Sequence, residues 1–239
     1  MNKFLDQVQI VLVEPQDGAN IGAVCRAMKT MGITHLAITG SKEYDENRVF
    51  TLALHAREIY LNAERFSTLE DALKKSVLSF GASRRRGKFR KYFSMSPVDM
   101  AEKTAMVGRG TVSIVFGRES DGLTDKELSL CDAAVRIPTS ELFPSLNLAQ
   151  AVQIITYTLF TYTGPFASYT PVKREELDHL TGIITESLDR IKFFKLEEKE
   201  EVGRFFSDIF ARSLLSRSEA KRLEKMFKKI ASIKIHKKN

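Results

Sequence analysis

No stretch of this 239-residue chain is apolar for long enough to cross a membrane, and no basic, then apolar, then small-residue pattern opens it. Cysteine is scarce. Cys25 falls inside a predicted helix and Cys131 ends another, and neither belongs to a C-x-x-C unit. That usage speaks against a disulfide framework or a zinc site and makes a reducing cytoplasm the natural compartment. The sequence has no H-E-x-x-H, no Cys/His cluster and no carboxylate ladder, so no metal is expected. His35, His55, His179 and His236 are scattered and give no Ser-His-Asp arrangement. A G-x-x-x-x-G-K-[ST] phosphate loop is missing. Gly108-Arg109-Gly110 precedes a predicted strand instead of following one, which is the wrong context for a dinucleotide fold.

What is present is an ordinary globular composition, 43% hydrophobic and 28% charged, with a net charge of +7 that is unevenly placed. Residues 211–239 hold 10 of the 37 Lys/Arg and 2 of the 30 Asp/Glu. The rest of the chain is therefore nearly neutral, with 27 basic and 28 acidic residues. A localised basic surface suits a polyanion, nucleic acid first, although a solvated Lys-rich helix face gives the same count.

Strands and helices alternate along the first two thirds of the chain. Val8–Val13, His35–Thr39, Val77–Phe80, Thr111–Phe116 and Ala134–Ile137 read as strands, with a short one at Ile59–Leu61. Helices are expected from Asn20, as N-cap, to Met31, over Asp45–Glu58, over Thr68–Lys75 behind Ser67, from the Thr124/Glu127 capping box to Cys131, and over Leu146–Tyr162. This order predicts an α/β fold, a mostly parallel sheet with helices on both faces. Thr163–Pro171 is rich in Gly, Pro, Ser and Thr and reads as a linker. Three amphipathic patterns follow, near 173–192, 197–215 and 217–235, the last opened by Ser216 and Glu219.

Four segments carry candidate chemistry. Asn20-Ile-Gly-Ala-Val-Cys-Arg26 opens a helix, whose N–H groups favour an anion, and Gly22 permits close backbone approach. Taken alone, Arg26 equally suits a solvent-facing position. Phe116-Gly-Arg-Glu-Ser-Asp-Gly-Leu123 ends a buried strand in a glycine-bounded loop, which serves either a ligand or a plain strand-to-helix turn. Ile137 and Pro138, then Pro144-Ser-Leu-Asn147, lead into the apolar helix, with Ser145 or Asn147 able to cap it. Ala82-Ser83-Arg84 ends a strand and runs on through Arg85, Arg86, Lys88, Phe89, Arg90, Lys91, Tyr92 and Phe93. Cations interleaved with aromatics in this way suit phosphate contacts and base stacking.

In kind and order these segments resemble the SPOUT superfamily of knotted, S-adenosylmethionine-dependent RNA methyltransferases, in the branch that methylates ribose 2′-hydroxyls. The resemblance covers residues 8–162 well and residues 171–239 weakly. It implies a catalytic domain over 1–162 with a trefoil-knot type cofactor site, a 163–171 linker and a helical, basic RNA-docking extension over 172–239. It also implies that Asn20 and Arg26 face the reacting ribose. Ala82, Ser83, Arg84, Gly117, Ile137, Pro144, Ser145 and Leu146 would hold S-adenosylmethionine, with Glu119 and Asn147 in support. Arg85, Arg86, Lys88, Arg90 and Lys91 would meet the RNA. Since a guanidinium is a poor proton acceptor, Arg26 is better suited to orienting than to acting as a base. The implied substrate is tRNA, at a cytidine or uridine that opens the anticodon loop. An rRNA 2′-O-methyltransferase, or an RNA-binding or assembly protein that has lost catalysis, are the alternatives. A homodimer is implied as well. The apolar circumference of 146–162 suits one, and burial in a single core explains that circumference equally well.

Overall fold

The computed structural model describes residues 3–84, 94–166, 171–195, 198–213 and 215–233. Arg85, Arg86, Lys88, Arg90 and Lys91, expected to meet RNA, lie outside the described residues. The chain divides into two compact units, Met1–Ser168 and Tyr169–Asn239.

The first unit is built on a seven-stranded sheet. Its strands are β1 (Val8–Val13), β2 (His35–Thr39), β3 (Glu64–Phe66), β4 (Ser76–Ala82), β5 (Ser94–Met95), β6 (Thr111–Phe116) and β7 (Ala133–Val135). They lie in the order β3-β2-β1-β6-β4-β7-β5, and every strand pairing is parallel. β1 is buried along its whole length, as a strand apolar at all positions but Gln9 requires. Its one polar residue, Gln9, accepts a hydrogen bond from Ser113 Oγ at 3.0 Å. Val11, Val13, Ala37, Val115 and Ala134 face α4 (Leu69–Leu73) and α6 (Asp125–Leu130). Ile10, Leu12, Ile38, Phe80 and Ile114 alternate with them and are also buried, so both faces are covered.

α1 (Gly18–Thr30) packs against α2 (Glu46–Ala53) and against α7 (Leu148–Phe160). The crossing with α2 is close. A Cβ on Gly22 would stand 2.1 Å from the Val49 carbonyl oxygen, so Gly22 serves helix packing and not a ligand. α1 also starts earlier than expected. Asp17, not Asn20, is its N-cap, with Asp17 Oδ1 accepting from the Ala19 N–H at 2.9 Å. Asn20 sits in the first turn with its side chain free for another partner.

Other boundaries shift for local reasons. The expected helix 45–58 breaks at Leu54, where φ is 49°, and resumes through a 3-10 turn as α3 (Arg57–Leu61). Ile59–Leu61 is therefore helical, and the edge strand is instead β3. Thr68 rather than Ser67 caps α4, through the Asp71 N–H at 3.2 Å. β7 stops at Val135, two residues before Ile137. α5 (Pro97–Ala105), with its Ser96/Asp99 capping box, was not anticipated.

The second unit contains α8 (Arg174–Arg190), α9 (Glu198–Ser213) and α10 (Arg217–Ala231) around Leu180, Ile184 and Phe210. Leu223 and Phe227 of α10 pack on this core, whereas Met226, an equally apolar choice on the sequence, is 52% exposed. Arg217, Lys221, Arg222, Lys225, Lys228 and Lys229 face solvent. Among the described residues no helix is long and apolar enough to cross a membrane.

Arg48 grips both carboxylate oxygens of Asp17 at 2.6 Å, and with the Ala19 N–H it holds the Asp17 carboxyl down at about 2, against an ordinary 3.8. A depressed carboxyl contributes stability in full above its unfolded value and loses it as pH falls through its folded value. The contribution of Asp17 is thus expected to be intact above about pH 4 and to vanish towards pH 2. Carbon-13 NMR of the Asp17 carboxyl checks this. It should titrate near 2, and Arg48→Ala should move the midpoint up towards 3.8.

Candidate active site

The carboxyl ends of adjacent parallel strands are where α/β folds leave a crevice, because the loops diverge to reach helices on opposite faces. Here the loops after β4, β6 and β7 converge on one cleft of about 850 Å³, counting its open mouth. The first loop brings Ala82, Ser83 and Arg84 and the second brings Gly117 to Leu123. The third brings Ile137, Thr139, Pro144, Ser145 and Leu146, and α7 adds Leu148 and Ala151. All eight residues expected to hold a cofactor line this cleft, and so does Glu119.

The 117–123 loop folds back on itself. Gly122 N–H donates to the Arg118 carbonyl at 2.8 Å, and a Cβ on Gly117 would lie 2.1 Å from the Gly122 carbonyl carbon. Gly117 is therefore required by its own loop. Gly122 has φ 69°, the left-handed region that glycine enters freely. Arg118 ties the loop to the residue after β1 and to α6 through ion pairs of 2.9 Å to Glu14 and 2.9 Å to Glu127. The hydrogen bonds that Arg118 donates to Glu127 outweigh the burial of Arg118 and raise its guanidinium further above its ordinary value. Burial pushes the Glu127 carboxyl up, but Arg118 and Thr124 outweigh it and leave it below the usual glutamate range.

Asn20 is the link to α1. Its Nδ2 donates to Glu119 Oε1 at 2.8 Å, and its Oδ1 accepts from Asn147 Nδ2 at 3.0 Å. Asn147 in turn caps α7, its Oδ1 accepting from the Ala149 N–H at 2.9 Å. A carboxylate only accepts, so Glu119 fixes which end of the Asn20 amide faces it, and that sets the Asn147 amide as well. Arg26 does not line the cleft. It lies two turns along α1, about 9 Å further on at 1.5 Å per residue, exposed and without an ion pair among the described residues. Gly22, Arg26 and Lys29 share one face of α1, and Lys29 reaches Glu58 at 2.5 Å and the His55 carbonyl.

Residues 7–157 match the SpoU rRNA methylase family, which is well over half of the chain. The chain belongs to that family. It is 33% identical over 92% of its length to a tRNA (cytidine-2′-O-)-methyltransferase TrmJ of Methanocaldococcus jannaschii, of which it covers 98%. With the tRNA (cytidine/uridine-2′-O-)-methyltransferase TrmJ of Citrobacter koseri it is 38% identical over 64% of its own length and 63% of that enzyme's. The crystal structure of TrmJ from Z. mobilis superposes with a TM-score of 0.69 at 26% identity, over 93% of this chain and 98% of that one. The seven-stranded parallel sheet with a helical C-terminal part is thus a SpoU-type methylase fold.

Residues that the sequence does not mark as candidates brace this cleft. Gln16 is bonded to Glu119 and Ser120, and Arg118 to Glu14 and Glu127. Thr139 Oγ1 donates to the Pro144 carbonyl at 3.2 Å and so closes the third loop. Among the described residues no group of three or more His, Cys, Asp or Glu is placed to hold a metal.

Because the Gly117 Cβ position is filled by backbone, Gly117→Ala has to open the loop. It is expected to cost about 1–3 kcal/mol of stability, read as a lower urea midpoint with an unchanged slope.

Proposed function

We propose that this chain transfers a methyl group from S-adenosylmethionine to a ribose 2′-hydroxyl of tRNA, at a cytidine or uridine opening the anticodon loop. The observation that carries the reading is the meeting of three sequence-distant loops in one cleft tied by Asn20 to the helix that bears Arg26. The near full-length match to a tRNA 2′-O-methyltransferase supports tRNA as the substrate. The cleft fits the methyl donor. Leu123, Val135, Ile137, Pro144, Leu146 and Leu148 form an apolar wall suited to an adenine ring, and Ser83, Arg84, Thr139 and Ser145 are polar lining for the rest. S-adenosylmethionine supplies a methyl on a sulfonium, already activated for attack by oxygen.

The protein's own work is to align the acceptor and take up charge. Arg26, uncommitted and exposed, holds the RNA phosphate or the ribose hydroxyl as a fixed cation. Asn20 and Glu119 keep α1 in register with the cleft, and Asn147 does the same for α7. α7 also carries an exposed apolar stripe, Ile154, Tyr157 and Phe160, opposite its buried Val152, Ile155 and Leu159, which supports a symmetric homodimer. Residues 1–162 serve as the cytoplasmic enzyme's catalytic domain, 163–171 as linker and 172–239 as its RNA-docking extension.

Two experiments bear on this reading. Arg26→Ala is expected to lose about 10²-fold or more in kcat on tRNA while its affinity for S-adenosylmethionine stays within twofold by calorimetry. A normal turnover, or a loss caused only by weaker donor binding, would overturn the assignment. Methyl incorporation into bulk rRNA in preference to tRNA would favour the rRNA reading that the family's name carries. The second experiment concerns α10. Lys221, Lys225 and Lys228 are exposed, and their joint change to Gln should lower tRNA affinity and reduce the slope of log affinity against log salt by about 2–3. An unchanged slope would mean that this face is only solvated.

A further inference from the structure

The loop between β1 and α1, Glu14–Asp17, is pinned from one side. Lys42 Nζ donates to the Gln16 carbonyl at 2.5 Å, Tyr44 OH to the Pro15 carbonyl at 2.6 Å, and Arg48 holds Asp17. From its other side this loop reaches the 117–123 loop, and Gln16 makes most of the reach. The Gln16 backbone N–H donates to Glu119 Oε2 at 2.8 Å. Its side chain forms a two-way clasp with Ser120. Nε2 donates to Ser120 Oγ at 2.9 Å, and the Ser120 N–H donates to Oε1 at 3.2 Å. Gln16 is exposed, so this clasp is not a by-product of core packing. Glu119 and Ser120 both line the cleft.

We propose that Gln16 is a positioning residue for the methyl donor, its side chain acting through Ser120, an inference that rests on the cleft being the S-adenosylmethionine site. The 118–121 segment is a narrow excursion held by Arg118 at its start, by Asn20 at Glu119 and by its closure at Gly122, and Gln16 ties Ser120 to the β1–α1 loop. With the clasp in place it is ordered before a ligand arrives, and binding pays no further cost to order it. Without the clasp the Ser120 N–H turns to water and its hydroxyl keeps only Asp121 Oδ2, to which it donates at 2.8 Å; only part of the population presents the binding form, and the apparent affinity falls by that fraction. Because the loop is fully ordered once the ligand is bound, turnover at saturation is preserved.

Two exposed neutral hydrogen bonds of ordinary strength amount to about a tenfold loss of affinity. The test uses the full-length protein, with S-adenosylmethionine titrated calorimetrically into the wild type, Gln16→Ala and Gln16→Met, and steady-state kinetics on tRNA alongside. Both variants should raise Kd and the KM for the donor about tenfold, with kcat within twofold and a melting temperature lowered by no more than about 2–4 °C. Gln16→Met keeps the bulk and loses the hydrogen bonds, so wild-type affinity in that variant would assign the effect to shape and overturn the proposal. A Kd within twofold of wild type for Gln16→Ala, or a fall in kcat at unchanged Kd, would overturn it as well. A wild-type protein that fails to bind S-adenosylmethionine would remove the reading of the cleft itself, a result distinct from the other three.

Discussion

The Asn20 side chain is the contact on which the arrangement of the site turns. An amide has one donating and one accepting end, and here each end has a single complementary partner. Glu119, 99 residues away, takes the donor, and Asn147, 127 residues away, meets the acceptor. The three sequence blocks that bear the family signature are therefore one polar chain, and it ends in the N-cap of α7. Replacing Glu119 or Asn147 leaves one end of the half-buried Asn20 amide without its protein partner. The order of the blocks along the sequence is thus the one-dimensional trace of a three-body contact.

Around that contact, packing separates what is held from what is left available. Gly22 lets α1 lie so close to α2 that only a hydrogen atom fits at the crossing. Arg118 is divided between two carboxylates and belongs to the scaffold. Lys29 and Arg48 are likewise committed, to Glu58 and Asp17. Arg26, on the same helix as Lys29, has no such partner among the described residues. A cation kept out of the protein's own ion pairs is one that an incoming phosphate can have without competition.

Much of this was legible in the sequence, for reasons that can be traced to particular residues. β1, β2 and β6 are mostly apolar runs with few polar residues, and such runs read correctly because both faces of a central parallel strand are buried. The capping boxes Thr124/Glu127 and Ser216/Glu219 were visible because they are local and reciprocal. The residues lining the cleft were legible through the family resemblance and not through periodicity. What was missed depended on distant partners or on single backbone angles. Asn20 reads as a helix cap until Glu119 is placed beside it. The break at Leu54 is one residue at positive φ with no glycine to announce it. β3 and β5, of three and two residues, are too short to carry an alternation and exist because a neighbouring strand offers them an edge. Gln16 carries no signal at all, since its role is written in the position of Ser120.

The strand order has a kinetic corollary. β1, near the amino end, is flanked by β2 on one side and by β6 on the other, so Val8 pairs with Val112 and Leu12 with Phe116. During synthesis β1, β2 and α1 can assemble at once, but one long edge of β1 stays bare until about a hundred further residues have emerged. At ordinary elongation rates of about 5–20 residues per second, that is a wait of roughly 5–20 s with an apolar strand edge exposed. Contacts so distant in sequence also fold slowly once the chain is complete. The cleft is finished later still, when α7 docks and Asn147 reaches Asn20. A nascent or truncated chain is therefore at its most aggregation-prone just before β6 arrives, and the enzyme's working parts are the last to come into being.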